Sequence, residues 1–313
     1  MGTLLVLASI VFVVERFWFN ALWRGDWWNP EQLVLPLLAG TLFYLFGSLL
    51  LGSAWWLLIS RLGEPGLAWK LALKIHGKSQ LAKYIPGNIF HLLSRHGYGI
   101  IAGLGHRSQL LALLLETGLC VLAAACMALP LYAATAVGSV LSVCLLAATL
   151  TTAARLVPPV AVRLLSSLAV HRGMPDEVEP GRPLLLAVRW SYLLYSGFFF
   201  LSAAITILLV HAITADVSLA AGSLSLPLVA AITATAWLIG FITPGASAGF
   251  GVREATLILL LEPHLGSGSA TLIALSFRLI TIAGDTGYFL LASLIGTSAN
   301  PQQPSSNPGS RHV

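Results

Sequence analysis

The sequence predicts an all-α, polytopic helical membrane protein with about six full spans, a re-entrant helix pair and a second segment broken at Pro-Gly. Three observations carry this. Of 313 residues, 57% are hydrophobic and 9% charged, where a soluble domain carries roughly a quarter charged residues, and the mean hydropathy is +0.86. Apolar windows close to the ~20 residues that a helical span needs recur at 3–22, 33–59, 108–129, 131–154, 184–210, 224–242 and 271–295. Between the last two lies Gly240-Phe-Ile-Thr-Pro244-Gly245-Ala-Ser-Ala-Gly249-Phe-Gly251-Val-Arg253-Glu254. Hydrocarbon cannot hydrogen-bond so broken a backbone, so protein or a water-filled cavity must surround it.

The first run starts almost at Met1, with no basic region before it, and is followed by Glu15-Arg16-Phe-Trp-Phe in place of small residues. It reads as a retained helix, not a removable signal peptide. The loop after it carries Arg24, but Trp18, Trp23, Trp27 and Trp28 mark it as an interfacial belt. Seven basic residues fall between Arg61 and Arg107 (Arg61, Lys70, Lys74, Lys78, Lys83, Arg95, Arg107) and four more between Arg155 and Arg182. The positive-inside rule places both stretches in the cytoplasm, so the runs between them form one hairpin hinged at Pro130. The segments 211–223 and 262–270 lack lysine and arginine and read as external. Both termini are then cytoplasmic, and a multi-pass protein of a bacterial cytoplasmic membrane is expected.

This topology constrains the break. The chain leaves the outside near residue 224 and is outside again by about residue 263, yet a helix from Val252 to Glu262 rises only about half a bilayer. Residues 226–262 therefore read as a re-entrant pair whose tip, Pro244 to Gly251, lies inside the membrane. The competing reading takes 224–242 as a full span and leaves Arg253-Glu254 at the cytoplasmic surface. A second break, Lys78-Ser-Gln-Leu-Ala-Lys83-Tyr84-Ile-Pro86-Gly87-Asn88, precedes Arg95 in the first half. Paired Gly/Pro-interrupted segments in two halves of a membrane protein point to a transport site. Residues 1–296 form one integral membrane unit. The tail 297–313, rich in Pro, Ser, Asn and Gln, is expected to be disordered.

Lys83-Tyr84-Ile85-Pro86-Gly87 with Arg95 downstream, and Pro244-Gly245 leading into Gly249-Phe250-Gly251-Val252-Arg253-Glu254-Ala255, resemble the transmembrane region of the lysylphosphatidylglycerol synthase/flippase family. The resemblance covers roughly residues 5–296. The second motif is looser than the usual form, with Ala246-Ser247-Ala248 inserted. In bifunctional relatives a soluble aminoacyltransferase domain follows the membrane region. Here a short polar tail stands in its place, so the resemblance implies the lipid-translocating part alone, without enzymatic activity.

Ionisable groups at membrane depth are functional candidates by default. Glu116 lies some eight residues into its apolar run, and Arg278 and Asp285, seven apart, share one face of the last helix. Arg253 and Glu254 open a half-helix whose N–H groups and dipole favour an anion. The expected substrate site is Arg253 and Arg278 on a lipid phosphate, with Glu254, Asp285 and Glu116 as counterions or contacts to a cationic headgroup. Lys83 and Arg95 flank the first break, and Pro86, Gly87, Pro244, Gly245, Gly249 and Gly251 shape the two breaks. The plainer alternative makes Arg278–Asp285 or Arg253–Glu116 structural ion pairs.

His76, His91 and His96 do not have metal-ligand spacing, and Cys120, Cys126 and Cys144 sit in apolar runs where cysteine acts as a small hydrophobe. No metal and no cofactor is expected, and no Walker motif is present. The expected partners are membrane lipids (an anionic or aminoacylated phospholipid, or an isoprenoid-linked lipid) and a separate lipid-modifying enzyme, with no nucleic acid. The leading expectation is a lipid translocase of flippase type. The alternatives are a membrane-embedded transferase or accessory subunit of lipid or glycolipid synthesis, and a secondary transporter of a small anion.

Overall fold

The structure is a computed structural model that describes residues 2–19, 30–85, 89–134, 139–171, 181–214 and 224–296. Pro86 and Gly87, the Trp23–Trp28 belt and the polar tail lie outside the described residues. Among those described, the chain is helical without a strand. Its helices are α1 (Gly2–Phe19), α2 (Pro30–Ile59), α3 (Trp69–Ser79), α4 (Phe90–Ile101), α5 (His106–Ala134), α6 (Ser139–His171), α7 (Arg182–Ile213), α8 (Leu226–Ile242), α9 (Val252–Leu265) and α10 (Ser267–Leu294). Short 3-10 turns cover Gln80–Tyr84 and Ser247–Gly249. Five helices, α2, α5, α6, α7 and α10, are long and apolar enough to cross a membrane. The α5–α6 hairpin corrects one expectation: α5 runs on past Pro130 to Ala134, so its turn falls later than the proline.

Helices α2, α7 and α10 form the centre. Lipid tails are as apolar as leucine, so close backbone approach through small residues drives such packing. A Cβ at Gly40 of α2 would stand 2.5 Å from Ile280 of α10, and one at Gly284 of α10 would stand 2.5 Å from the Tyr44 ring. These contacts run α2 and α10 in the same direction. Gly47 meets Phe198 of α7, and Ser191 of α7 donates to the Ala54 carbonyl at 3.0 Å, so α7 runs the other way.

Two half-length hairpins are inserted against this centre. In the second, α8 descends along α7: Thr233 donates to Thr206 at 2.9 Å, and the Trp237 and Phe199 rings meet at 4.9 Å. One further turn brings α8 to its end, where α7 still has about 18 Å of helix to run. Residues 224–242 thus stop short of the start of α7, whose 32 residues exceed a single span, a geometry that both the re-entrant and the full-span reading accommodate. After the tip, α9 returns beside α1, with Arg16 paired to Glu262 at 3.2 Å, and Gly266, at φ +77°, turns the chain into α10.

The first hairpin, α3 and α4, approaches from the opposite end of α10. The Tyr288 hydroxyl donates to the Leu73 carbonyl at 3.4 Å, and Gly77 packs on Ala292. This corrects the charge reading: Lys83 and Arg95 were counted with the cytoplasmic surface charges, but Lys83 pairs with the fully buried Asp285 and Arg95 is itself buried. Both belong to the interior. The tips of the two hairpins meet at the middle of α10, between Arg278 and Asp285.

Candidate functional site

The second tip is built from backbone that most residues avoid. Gly245, Gly249 and Gly251 have φ of +84°, +70° and +80°, and Ala248 has φ +51°, a left-handed position that is uncommon outside glycine. A Cβ on Gly240 would lie 3.3 Å from the Gly249 Cα, so this pair lets the tip fold back onto α8. Arg278 holds the strained turn. Its Nη1 donates to the Ala248 carbonyl at 3.2 Å and lies 3.3 Å from Glu254 Oε1. Glu254 Oε2 accepts from the Gly251 N–H at 2.6 Å, which is one half of a capping box. The anion expected at the start of α9 is therefore supplied by the chain's own carboxylate.

Arg278 also reaches the first tip. Its guanidinium sits 5.3 Å from the Tyr84 ring centre and 4.8 Å from that of Phe250, a cation–π arrangement on both faces. The Tyr84 hydroxyl donates to Asp285 Oδ2, and Lys83 Nζ donates to Asp285 Oδ1 at 2.7 Å. Lys83 is 3.4 Å from both the Tyr44 hydroxyl and Gln80 Oε1. One continuous polar chain thus joins the two hairpins through α10. Apart from it, Arg95 of α4 faces Glu116 of α5 fork to fork, at 3.0 and 2.8 Å, with its guanidinium 5.4 Å from the Trp55 ring centre.

Between these networks lies a cavity of about 260 Å³. Its charged wall is Lys83, Arg95, Glu116 and Arg253, with Gln80 and Tyr44 beside them. Phe198, Trp237 and Phe241 form an aromatic wall, the last two stacked at 4.9 Å. Arg253, 9% exposed, has its Nε and Nη2 buried without a hydrogen-bond partner among the described residues, and its guanidinium lies 4.7 Å from the centre of the Phe277 ring.

Comparisons with protein-family models, curated proteins and solved structures find no match. The site is accordingly read from its own geometry.

The residues expected from sequence separate into three groups. Lys83, Arg95, Glu116, Gly249 and Arg253 line the cavity. Glu254, Arg278 and Asp285 stand behind it and tie the tips together, while Pro244, Gly245 and Gly251 shape the second tip. Neither of the ion pairs named in the plainer alternative forms: Arg278 takes Glu254, and Glu116 takes Arg95. Sequence reasoning passed over Tyr44, Gln80, Trp237 and Phe241, and left His76 and His91 outside the substrate site. Both histidines line the cavity, and His91 Nδ1 is buried and unpartnered. Among the described residues, no group of three or more histidine, cysteine, aspartate or glutamate side chains is arranged to hold a metal ion. Gln80 carried a legible signal, a polar side chain three residues before Lys83 at a helix break. Tyr44 carried none, since it sits inside an unbroken apolar run.

Chemically, the cavity offers an anion a desolvated guanidinium, and it offers the rest of a headgroup the polar edges of Gln80, Tyr44 and two imidazoles. No nucleophile with an adjacent base is assembled among these groups.

Proposed function

We propose that this chain is a lipid translocase of flippase type, in which a phospholipid or lipid-linked headgroup passes through the cavity while its chains stay in the bilayer. The observation that carries the reading is a charged cavity at mid-bundle, between the tips of two half-length hairpins inserted from opposite ends of α10. Transporters place substrate sites at such midplane junctions of broken helices. The exposed apolar side chains of Ile85 and Ile89 beside the first tip, and of Ile242 and Phe250 at the second, suit a lipid tail that remains outside. The resemblance of both Pro-Gly motifs to the lysylphosphatidylglycerol synthase/flippase membrane region supports the same conclusion, as does the clustering of Arg61, Lys70, Arg107 and Arg182 at the end of the bundle where α10 finishes. On this reading the protein is not an enzyme, sits in a bacterial cytoplasmic membrane with both termini inside, and works beside a separate lipid-modifying enzyme.

The test is reconstitution into liposomes with fluorescently labelled phospholipids, followed by leaflet exchange for the wild type, Arg253→Ala and Arg278→Ala. The wild type exchanges an anionic lipid, and Arg253→Ala slows exchange at least tenfold while remaining folded. Absence of exchange for every lipid tried, by a well-folded wild type, would count against the translocase; unchanged rates in both variants would remove these arginines from the site.

A further inference from the structure

We infer that the Arg253 guanidinium is the receptor for one negative charge, carried by a phosphodiester or an equivalent singly charged oxyanion, and that doubly charged headgroups are disfavoured. The inference rests on the cavity being the headgroup site. It adds the charge class of what the cavity takes.

The charge count around the tips is uneven. Four cations meet there, Lys83, Arg95, Arg253 and Arg278. Three have their own carboxylates: Lys83 pairs with Asp285 at 2.7 Å, Arg95 with Glu116 at 2.8 Å and Arg278 with Glu254 at 3.3 Å. The other titratable groups on the cavity wall, Tyr44, His76, His91 and Cys120, are counted neutral at pH 7. Arg253 is left over. It sits beside Glu254 in sequence, but that carboxylate is engaged by Arg278 and by the Gly251 N–H.

A buried guanidinium with two unpartnered nitrogens is unfavourable, because its lost hydration is not replaced. Surface charges screen one another weakly at such a site, since water is scarce and the effective dielectric is low. One anion restores neutrality there and supplies acceptors for the planar donor fork. A second negative charge would have to draw Arg95 from Glu116 or Lys83 from Asp285, leaving a carboxylate unpaired. Steric room comes from Gly240 and Gly249. A Cβ at Gly240 would come within 3.1 Å of Arg253 Cβ, so the backbone is bare where the side chain enters the cavity.

A lipid phosphodiester and a free inorganic oxyanion share this chemistry, and the experiment separates them. Purified full-length protein in detergent at pH 8 is melted with increasing short-chain phosphatidylglycerol, short-chain phosphatidic acid or nitrate, a singly charged inorganic oxyanion. Phosphatidic acid is a phosphomonoester and can take on a second negative charge, which the phosphodiester of phosphatidylglycerol cannot. The wild type, Arg253→Met and Arg253→Lys are compared. Phosphatidylglycerol should raise the wild-type Tm saturably and bind at least tenfold tighter than phosphatidic acid. Arg253→Met should lose that response yet melt above the wild type without ligand, because it removes an uncompensated charge, and Arg253→Lys should keep a weakened response.

An Arg253→Met variant that melts below the wild type and still responds to phosphatidylglycerol would overturn the receptor assignment. Equal or tighter binding of phosphatidic acid would overturn the single-charge preference and leave the translocase reading intact. Saturation by nitrate alone, dependent on Arg253, would uphold the receptor and overturn the lipid reading.

Discussion

At the scale of single residues, the interior holds every cation around the tips except Arg253 in a matched pair, and the pairs differ in what they do. Asp285 is fully buried with a cation and a phenol on its two oxygens. Removing one member of such a pair strands the other, which is far costlier than removing both. Asp285→Asn should therefore destabilise the protein by about 3–5 kcal/mol, whereas Lys83→Met combined with Asp285→Leu should recover a large part of that loss. Thermal melting in detergent of Lys83→Met, Asp285→Leu and the double variant measures the coupling, and additive losses would show the pair to be energetically independent. The membrane-depth ionisable residues were legible because hydrocarbon makes any such group conspicuous. Their partners were not: Glu116 and Arg95 lie 21 positions apart, and Lys83 and Asp285 are separated by 202. Only the packing of the first hairpin on α5 and α10 brings them together.

At the scale of elements, each hairpin is short because its tip is polar, and its tip is tolerated because other helices enclose it. The glycine spacing of the second break was readable as a place where backbone must turn. The left-handed turn at Ala248 was not, since nothing in the local sequence asks an alanine to adopt it. That turn is stabilised from a distance, by Arg278. Gly249→Ala would add a Cβ at φ +70° with the Gly240 Cα 3.3 Å away. It should cost about 1–3 kcal/mol and lower the Tm without changing helix content by circular dichroism. A variant as stable as the wild type would mean that the tip has another conformation available. The Pro-Gly at Pro86-Gly87 was equally readable as a break, and its flanks, the 3-10 turn ending at Tyr84 and the start of α4 at Phe90, accord with that reading.

At the scale of the whole molecule, composition was enough to give the class, because it follows from the bilayer as solvent. The depth of α8 was not legible, as 17 apolar residues suit a thin span or a re-entrant arm equally well. A cysteine scan tests it in a background with Cys120, Cys126 and Cys144 replaced by alanine. A cysteine at Ile242 should resist membrane-impermeant maleimide from either side, while one at His264 should label from the side opposite the basic cluster. Labelling at Ile242 from the cytoplasmic side would support the full span. One side chain links this architecture to motion. Arg278 sets its guanidinium against the Tyr84 ring of one hairpin and the Phe250 ring of the other and donates a hydrogen bond to the second tip, so the hairpins share an anchor without being fused to each other. Either arm that swings away exposes the same cation to whatever fills the space, and the vacated face is then open to an incoming oxyanion. The fold thereby ties both arms to the same cation, so a substitution at one arginine reaches two hairpins at once.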